Sequence, residues 1–339
     1  MKNKAATVQD VARAAGVSTA TVSRAINEPD KVSEETRQRV ADAIAATRYT
    51  LNEAARSLRM NRSRMLLVTV PDIGNPYFSL LLAGMEETAS QQGYNLLIAN
   101  TNCDPGVEHR LYDYVRSNRA DGILILDGTL PSLGEQHDTA LPPVVVVSER
   151  IEGAELPTVC VDNTAALASA TRHLQQLGHR RIGHLCGPLA NVLTKERLAG
   201  FRQAMADAEL PVADSWVYSG DFSMDAGAAA ARQWLDQSER PTAITCANDE
   251  LAFGFIDEVR RQGIRVPEQV SVVGFDDIQF AARFYPALTT IHQPRKEIGR
   301  QAAALLLDLI NQPGKVKKQE IVLETELVIR ESTAAPVDQ

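Results

Sequence analysis

Apolar positions in the first fifty residues recur at helical spacing, and small polar residues stand where such helices would begin. Val8, Val11, Ala12 and Ala15 fall at i, i+3, i+4 and i+7, with Thr7 placed to cap the first turn and Gly16 to end the helix. Ser18 can cap a second helix over residues 19–26, whose Val22, Ala25 and Ile26 face inward while Thr19, Ala20, Ser23 and Arg24 face out. Ser33 opens a third, with Glu34 and Glu35 in its positive first turn and Arg37, Val40 and Ile44 continuing it. Three short helices closing one small core, with a glycine turn between the first two, have the form of a helix-turn-helix. The slim polar face of the second helix suits a major groove, where Arg24 can reach a guanine edge or a phosphate. Capped helix pairs that never touch DNA read the same way, so the pattern permits this reading without requiring it.

Beyond residue 64 the period changes. Apolar runs of strand length at 65–70, 95–99, 122–126 and 144–147 alternate with amphipathic stretches at 77–92 and 107–117. The rhythm restarts with strands at 181–186, 242–246 and 270–275 and helices at 195–208, 226–235 and 250–262. This alternation predicts two parallel sheets covered by helices on both faces, hence two lobes. Ligands of such sheets sit beyond the carboxyl ends of strands. Asp72, Asn75, Tyr77, Phe78, Asn100, Asp127, Ser148, Asp162, Asn163, Asp221, Phe222, Asn248, Asp249, Asp276 and Asp277 recur there. Carboxylates, amides and aromatic rings together suit a polyhydroxylated ring, although any one strand-end Asp or Asn can instead cap the next helix. Between the two regions, residues 52–60 have helix-forming composition but are too few to be stable alone. Their helix is conditional, or the segment is a plain linker.

Charge changes the picture more than composition does. The 339 residues are 44 % hydrophobic and 23 % charged, the balance of a globular protein with two or three compact units. The formal net charge of −8 argues against nucleic acid until it is divided: residues 1–64 carry 12 Lys/Arg against 7 Asp/Glu, so the head is +5 and the remainder −13. An attractive potential for phosphate is thus confined to one end. Cys103, Cys160, Cys186 and Cys246 have no metal-ligand spacing and read as buried thiols of a reducing compartment. No apolar run approaches a membrane span and the N-terminus has no apolar signal core, so a cytoplasmic protein without membrane contact is expected.

The stretch from Val8 through Gln9-Asp10-Val11-Ala12-Arg13-Ala14-Ala15-Gly16-Val17-Ser18-Thr19-Ala20-Thr21-Val22-Ser23-Arg24-Ala25-Ile26 to Asn27 resembles the headpiece of the lactose/galactose-repressor family of bacterial transcription regulators. The resemblance implies an all-α helix-turn-helix headpiece joined to an α/β two-lobed body similar to periplasmic sugar-binding proteins. Its parts would be a headpiece over 1–51, a hinge over 52–62, a first lobe of 63–162 with 292–319, a second lobe of 163–291 with 320–333, and a tail over 334–339. Crossing strands near Val161, Ile291 and Glu320 would join the lobes. Contact with double-stranded, pseudo-palindromic operator DNA is implied for Thr7, Ser18, Thr19, Ala20, Thr21, Ser23, Arg24, Asn27, Ser33 and Tyr49, and for Asn52, Ala55 and Leu58 of the hinge. In this family the hinge folds on operator and wedges a leucine, here Leu58, into the minor groove. The implied effector-binding set is Asp72, Tyr77, Phe78, Asn100, Ser148, Asp162, Arg197, Phe222, Asn248 and Asp276, with Arg197 carried over from the Arg197-Leu198-Ala199-Gly200-Phe201 segment. Pro71-Asp72-Ile73, Gly220-Asp221-Phe222 and Glu326-Leu327-Val328-Ile329-Arg330 look closest to the cytidine-responsive members. Ala190-Asn191-Val192-Leu193 departs from the purine-responsive pattern. A nucleoside or sugar is therefore the expected effector.

Rival functions lack their signatures. There is no G-x-G-x-x-G after a strand, no P-loop, no H-E-x-x-H and no G-x-S-x-G, and His184 and Cys186, two apart on one strand, have no orienting acid nearby. No enzyme, cofactor or metal is expected. The alternatives are a periplasmic-type solute-binding protein, which would need a secretory signal and no DNA head, or a sugar-handling enzyme. Reading a palindrome needs two heads, and after Arg330 only residues 331–339 remain, without coiled-coil heptads, so a homodimer is expected.

Overall fold

The computed structural model describes residues 6–49, 62–128, 142–314 and 319–337. They form two compact units, Met1–Ser63 and Arg64–Gln339.

In the first unit, α1 (Val8–Ala15), α2 (Thr19–Asn27) and α3 (Glu34–Thr47) begin where the polar caps stand. Thr7 and Asp10 form a reciprocal capping box, Ser18 Oγ accepts from the Thr21 amide at 3.1 Å, and Ser33 Oγ accepts from the Thr36 amide at 3.4 Å. Gly16 ends α1 at φ 64°, a left-handed conformation that costs a glycine nothing. Val11, Ala12, Ala15, Val22, Ala25, Val40 and Ala43 close the core, with Ile26, Ile44 and Tyr49 packed at its edge.

The second unit holds the two sheets. The first lobe contains β1 (Met65–Val70), α4 (Tyr77–Gln91), β2 (Asn95–Asn100), α5 (Pro105–Arg116), β3 (Gly122–Ile125), β4 (Val144–Ser148) and β5 (Thr158–Val161). The chain then builds α6 (Asn163–Gln176), β6 (Ile182–Cys186), α7 (Val192–Asp207), β7 (Val217–Ser219), α8 (Met224–Leu235), β8 (Ala243–Cys246), α9 (Asp249–Arg261), β9 (Ser271–Asp276) and β10 (Thr289–His292) of the second lobe. It returns to the first lobe with α10 (Arg295–Asn311) and β11 (Glu320–Leu323), and ends on β12 (Glu326–Val328) in the second. The strand orders are β11-β5-β4-β3-β1-β2 and β12-β10-β9-β8-β6-β7, parallel except for β12 against β10. Both orders reverse beside their first strand, so each lobe has a switch point, at β1/β3 and at β6/β8, where a ligand crevice is expected. Gly84 and Gly299 let α4 and α10 cross in contact: a Cβ on Gly84 would stand 2.0 Å from the Lys296 carbonyl oxygen and one on Gly299 2.1 Å from that of Leu81.

Three details differ from the sequence reading. Residues 320–323 pair with β5, so they belong to the first lobe, and the third crossing falls at Glu324-Thr325 instead of at Glu320. Ala334, placed in a tail over 334–339, is tied to the second lobe: its amide donates to Ser271 Oγ at 3.0 Å and its carbonyl accepts there at 3.1 Å. Cys103 is exposed, while the other three thiols are buried.

His184 packs inside the second lobe, stacked on Phe201 with ring centroids 5.3 Å apart and Nδ1 2.9 Å from Thr245 Oγ1. Burial pulls its pKa down to about 3. A histidine held neutral by folding supplies stability that is complete above the unfolded value near 6.5 and is lost as pH falls toward the folded one. Stability should therefore drop by about 1.4 kcal/mol per pH unit below ~6 through this group alone. Urea unfolding followed between pH 7 and 4.5 should show that slope, and His184→Phe should flatten it; an unchanged slope in the variant would remove His184 as its source.

Candidate functional site

In the headpiece, Thr19, Ala20 and Arg24 are exposed on α2, and Arg24 has no ion pair among the described residues. Thr21 and Ser23 are half-buried beside them. Thr7, Ser18 and Ser33 have committed their hydroxyls to capping: Thr7 Oγ1 donates to Asp10 at 2.7 Å, Ser33 Oγ to Thr36 Oγ1 at 3.0 Å, and Ser18 Oγ lies 2.9 Å from Thr21 Oγ1. These three shape the helix starts, and Tyr49 serves the core edge. The side chain of Asn27, and the hinge residues Asn52, Ala55 and Leu58, lie outside the described residues.

In the body, residues from both switch points meet. Tyr77, first in α4, is buried; its hydroxyl lies 2.9 Å from Ser148 Oγ and donates toward Gln293 Oε1 at 3.3 Å. Gln293 sits on the second crossing and donates through Nε2 to Asp276 Oδ1 at 2.7 Å, so one chain of hydrogen bonds runs from the end of β4 to the end of β9. Burial pushes the Asp276 carboxyl up to about 6, against the pull of the Arg197 and Arg295 guanidinium groups and the Gln293 bond. Arg197, on the second turn of α7, is 4 % exposed; its guanidinium lies 3.8 Å above the Phe275 ring, Nε donates to Asn163 Oδ1 at 3.0 Å and Nη1 to the Ala247 carbonyl. Phe78 meets the Tyr77 ring edge-on at 5.2 Å. Phe222, at φ 72°, lies so close to Gly187 that a Cβ there would be 2.2 Å from its ring.

Other predicted residues also hold local structure. Asp162 is exposed and caps α6 through the Ala165 amide at 2.8 Å; it lines a separate concavity of about 350 Å³ beside the third crossing. Asn248 caps α9 and donates to the Phe222 carbonyl at 2.9 Å, so it holds that ring's backbone. Asn100 accepts from the Ile73 amide at 3.1 Å and Asp72 from that of Gly74 at 2.8 Å, which shapes the loop after β1.

Three contributors were not singled out from the sequence, and a fourth, Asn163, was named only as a strand-end residue. Gln293 makes the bridge described above. Arg295 donates to the Tyr77 and Asp277 carbonyls, at 3.4 and 2.8 Å. Asn163 orients Arg197. Glu149, buried after β4, receives Asn191 Nδ2 from the opposite lobe at 3.3 Å, and burial with the nearby Asp127 carboxylate pushes it up to about 8. The dipeptide Gln293-Pro294 at a crossing was the one visible hint. Asp249, by contrast, is a brace: it accepts from Thr290 Oγ1 and from the Ile278 amide.

A helix-turn-helix head on a two-lobed body, with a polar chain between the lobes, has the form of a ligand-responsive DNA-binding regulator, and comparison with known proteins agrees. The model for bacterial regulatory proteins of the lacI family matches residues 7–52, and that for a periplasmic binding protein-like domain matches residues 171–333. The chain is 42 % identical over 334 residues to the HTH-type transcriptional repressor CytR of Escherichia coli (strain K12), covering 98 % of this chain and 97 % of that protein. A transcriptional regulator CelR–cellobiose complex is similar with TM-score 0.74 at 32 % identity over 96 % of this chain and 99 % of that one. The lac repressor dimer bound to operator and the anti-inducer ONPF is similar with TM-score 0.86 at 28 % identity, over 98 % of this chain and all of that one. The chain belongs to the LacI family of bacterial transcriptional repressors. The family's members are regulators, not enzymes, and His184 and Cys186 are core residues accordingly. Among the described residues no His/Cys/Asp/Glu cluster could hold a metal, and no helix is long and apolar enough to cross a membrane.

Proposed function

We propose that this repressor binds a nucleoside between its two lobes, and that the occupied cleft resets the affinity of a homodimer for a pseudo-palindromic operator. The hydrogen-bond chain Ser148–Tyr77–Gln293–Asp276 is the observation that carries the reading, because it gives a ligand hydroxyl partners from both lobes at once. Asp276 accepts from sugar hydroxyls, Arg197 donates to a ring or hydroxyl oxygen, and Tyr77, Phe78 and Phe222 supply flat apolar faces for a base. The cellobiose held by the CelR relative supports the polyhydroxylated part of this reading. The segment 52–62 acts as the hinge, with Leu58 as its minor-groove wedge.

A thermal-shift screen of cytidine, adenosine, uridine, D-ribose and free bases tests the ligand class. A nucleoside at a hundred times its Kd should add about 2.7 kcal/mol to the stability of the body. Stabilisation by ribose, and by no nucleoside, would replace the nucleoside with a sugar. On the DNA side, Arg24→Ala should weaken operator binding by about 1–3 kcal/mol with effector affinity unchanged. Wild-type operator affinity in that variant would contradict the placement of α2 in the groove.

A further inference from the structure

Arg197 is tied to the opposite lobe through its own helix. Its Nε donates to Asn163 Oδ1 at 3.0 Å, and Asn163 Nδ2 donates to Glu196 Oε2 at 2.9 Å. The other carboxylate oxygen, Glu196 Oε1, accepts from Arg150 Nη1 at 2.8 Å. Arg150 belongs to the first lobe, in the loop after β4, and it also pairs through Nε with Glu320 of β11, the strand that leads into the third crossing. Flanking contacts run the same way: Asn191 reaches Glu149 at 3.3 Å and Lys195 Nζ reaches Glu152 Oε1 at 2.9 Å. Residues 149–152 of one lobe thus rest on residues 191–196 of the other.

Stability is a poor reason for this arrangement, since ion pairs with the Arg150 side chain 39 % exposed add little. Orientation is a better one. An Asn side chain can present either its oxygen or its NH₂ to a neighbour, and only the oxygen can receive a guanidinium N–H. Glu196 accepts from the Asn163 NH₂ and so leaves the amide oxygen facing Arg197. The one competing acceptor for that NH₂, the Val161 carbonyl at 3.5 Å, is at the limit of a hydrogen bond.

We infer that Glu196 is a positioning residue shared by the cleft and the lobe contact: it fixes the Asn163 amide that aims Arg197, while Arg150 of the first lobe holds its other oxygen. Ligand capture by Arg197 and docking of residues 149–152 onto α7 are then one cooperative step. A ligand that engages Arg197 tightens the interlobe contact, and breaking that contact loosens Arg197.

The inference rests on the cleft being the effector site, and the test separates the two. In the full-length protein, Glu196→Gln, Arg150→Ala and the double variant are compared by calorimetric titration with cytidine and D-ribose, and by operator affinity with and without the ligand that binds. Each single variant should raise the ligand Kd at least fivefold and shrink the operator response in parallel. The double variant should be no more than about twofold worse than the poorer single one, because the two side chains act through the same contact. Arg150→Lys should recover most of the binding. Unchanged Kd values, or losses that multiply in the double variant, overturn the inference. If the wild-type chain binds neither probe, the effector reading has failed, and amide hydrogen exchange without ligand decides the inference instead. Arg150→Ala should then speed exchange in residues 192–197, and Glu196→Gln in residues 149–152; exchange unchanged in both segments overturns it.

Discussion

Asp276→Ala should abolish the effector response while operator binding persists. Asp276 is 6 % exposed at the end of β9 and receives Gln293 at 2.7 Å, and in the proposed cleft its second oxygen is the acceptor offered to a ligand hydroxyl. Removing it leaves ligand hydroxyls buried and unpaired, about 1–3 kcal/mol for each one, and more where the lost acceptor was charged. The same deletion leaves Arg197 without the carboxylate that opposes its desolvation, which weakens the second contact proposed for the ligand. A loss of two orders of magnitude in effector affinity is expected, with the headpiece untouched. The pH dependence from this group follows with a definite sign: since burial lifts Asp276 to about 6, its contribution to effector affinity should hold steady from pH 7 to 8 and decline as pH falls through 6. Calorimetric titration of the ligand identified by thermal shift into wild type and variant across that range checks both effects. Normal ligand affinity in Asp276→Ala would mean that the cleft has been misplaced.

The second large effect is expected from Leu80→Asp combined with Phe280→Asp. Leu80, in the first turn of α4, is 43 % exposed and Phe280, after β9, is 50 % exposed; Ile73, Ile98 and Tyr285 are exposed to a similar or greater degree. Large apolar side chains left in water are candidate positions for an interaction surface. The occupant proposed is a second copy of the chain, because a palindromic operator is read by two heads held at a fixed spacing. Two introduced carboxylates on each copy should separate the protomers, which equilibrium sedimentation at micromolar concentration would show. Operator affinity should then fall by roughly two orders of magnitude or more, since each monomer keeps only half of the phosphate contacts. Effector binding, lying within one protomer, should survive. Persistence of the dimer in the double variant would move the interface elsewhere.

What the sequence displayed was mostly local. Thr7, Ser18, Ser33 and Gly16 mark the headpiece helices because caps and left-handed turns depend on neighbours three or four residues away. The buried parallel strands β1, β3, β4 and β9 were visible as near-continuous apolar runs, as expected where both faces are covered. The exchange at Glu324-Thr325 was not, since β11 and β12 are edge strands of four and three residues with half-exposed faces. In the cleft, Tyr77, Ser148, Arg197 and Asp276 were legible as strand-end or family positions. Asp162 and Asn248 sit at equivalent strand ends yet serve as caps, and the same residue type fits both duties before the tertiary neighbours are known. Gln293 and Glu149 act through partners far away in the chain, 216 residues for the Tyr77–Gln293 contact, and no local pattern reports such a distance.

The central claim is that occupancy of the cleft sets operator affinity. It is tested most directly by titrating full-length protein onto an operator selected from random sequence, at fixed salt, with and without a saturating nucleoside that has stabilised the protein in a thermal shift. A coupling of about 1–3 kcal/mol predicts that the operator Kd changes by roughly 5- to 150-fold, and that operator changes the nucleoside Kd by the same factor. Operator Kd values that coincide with and without a bound nucleoside would contradict the account.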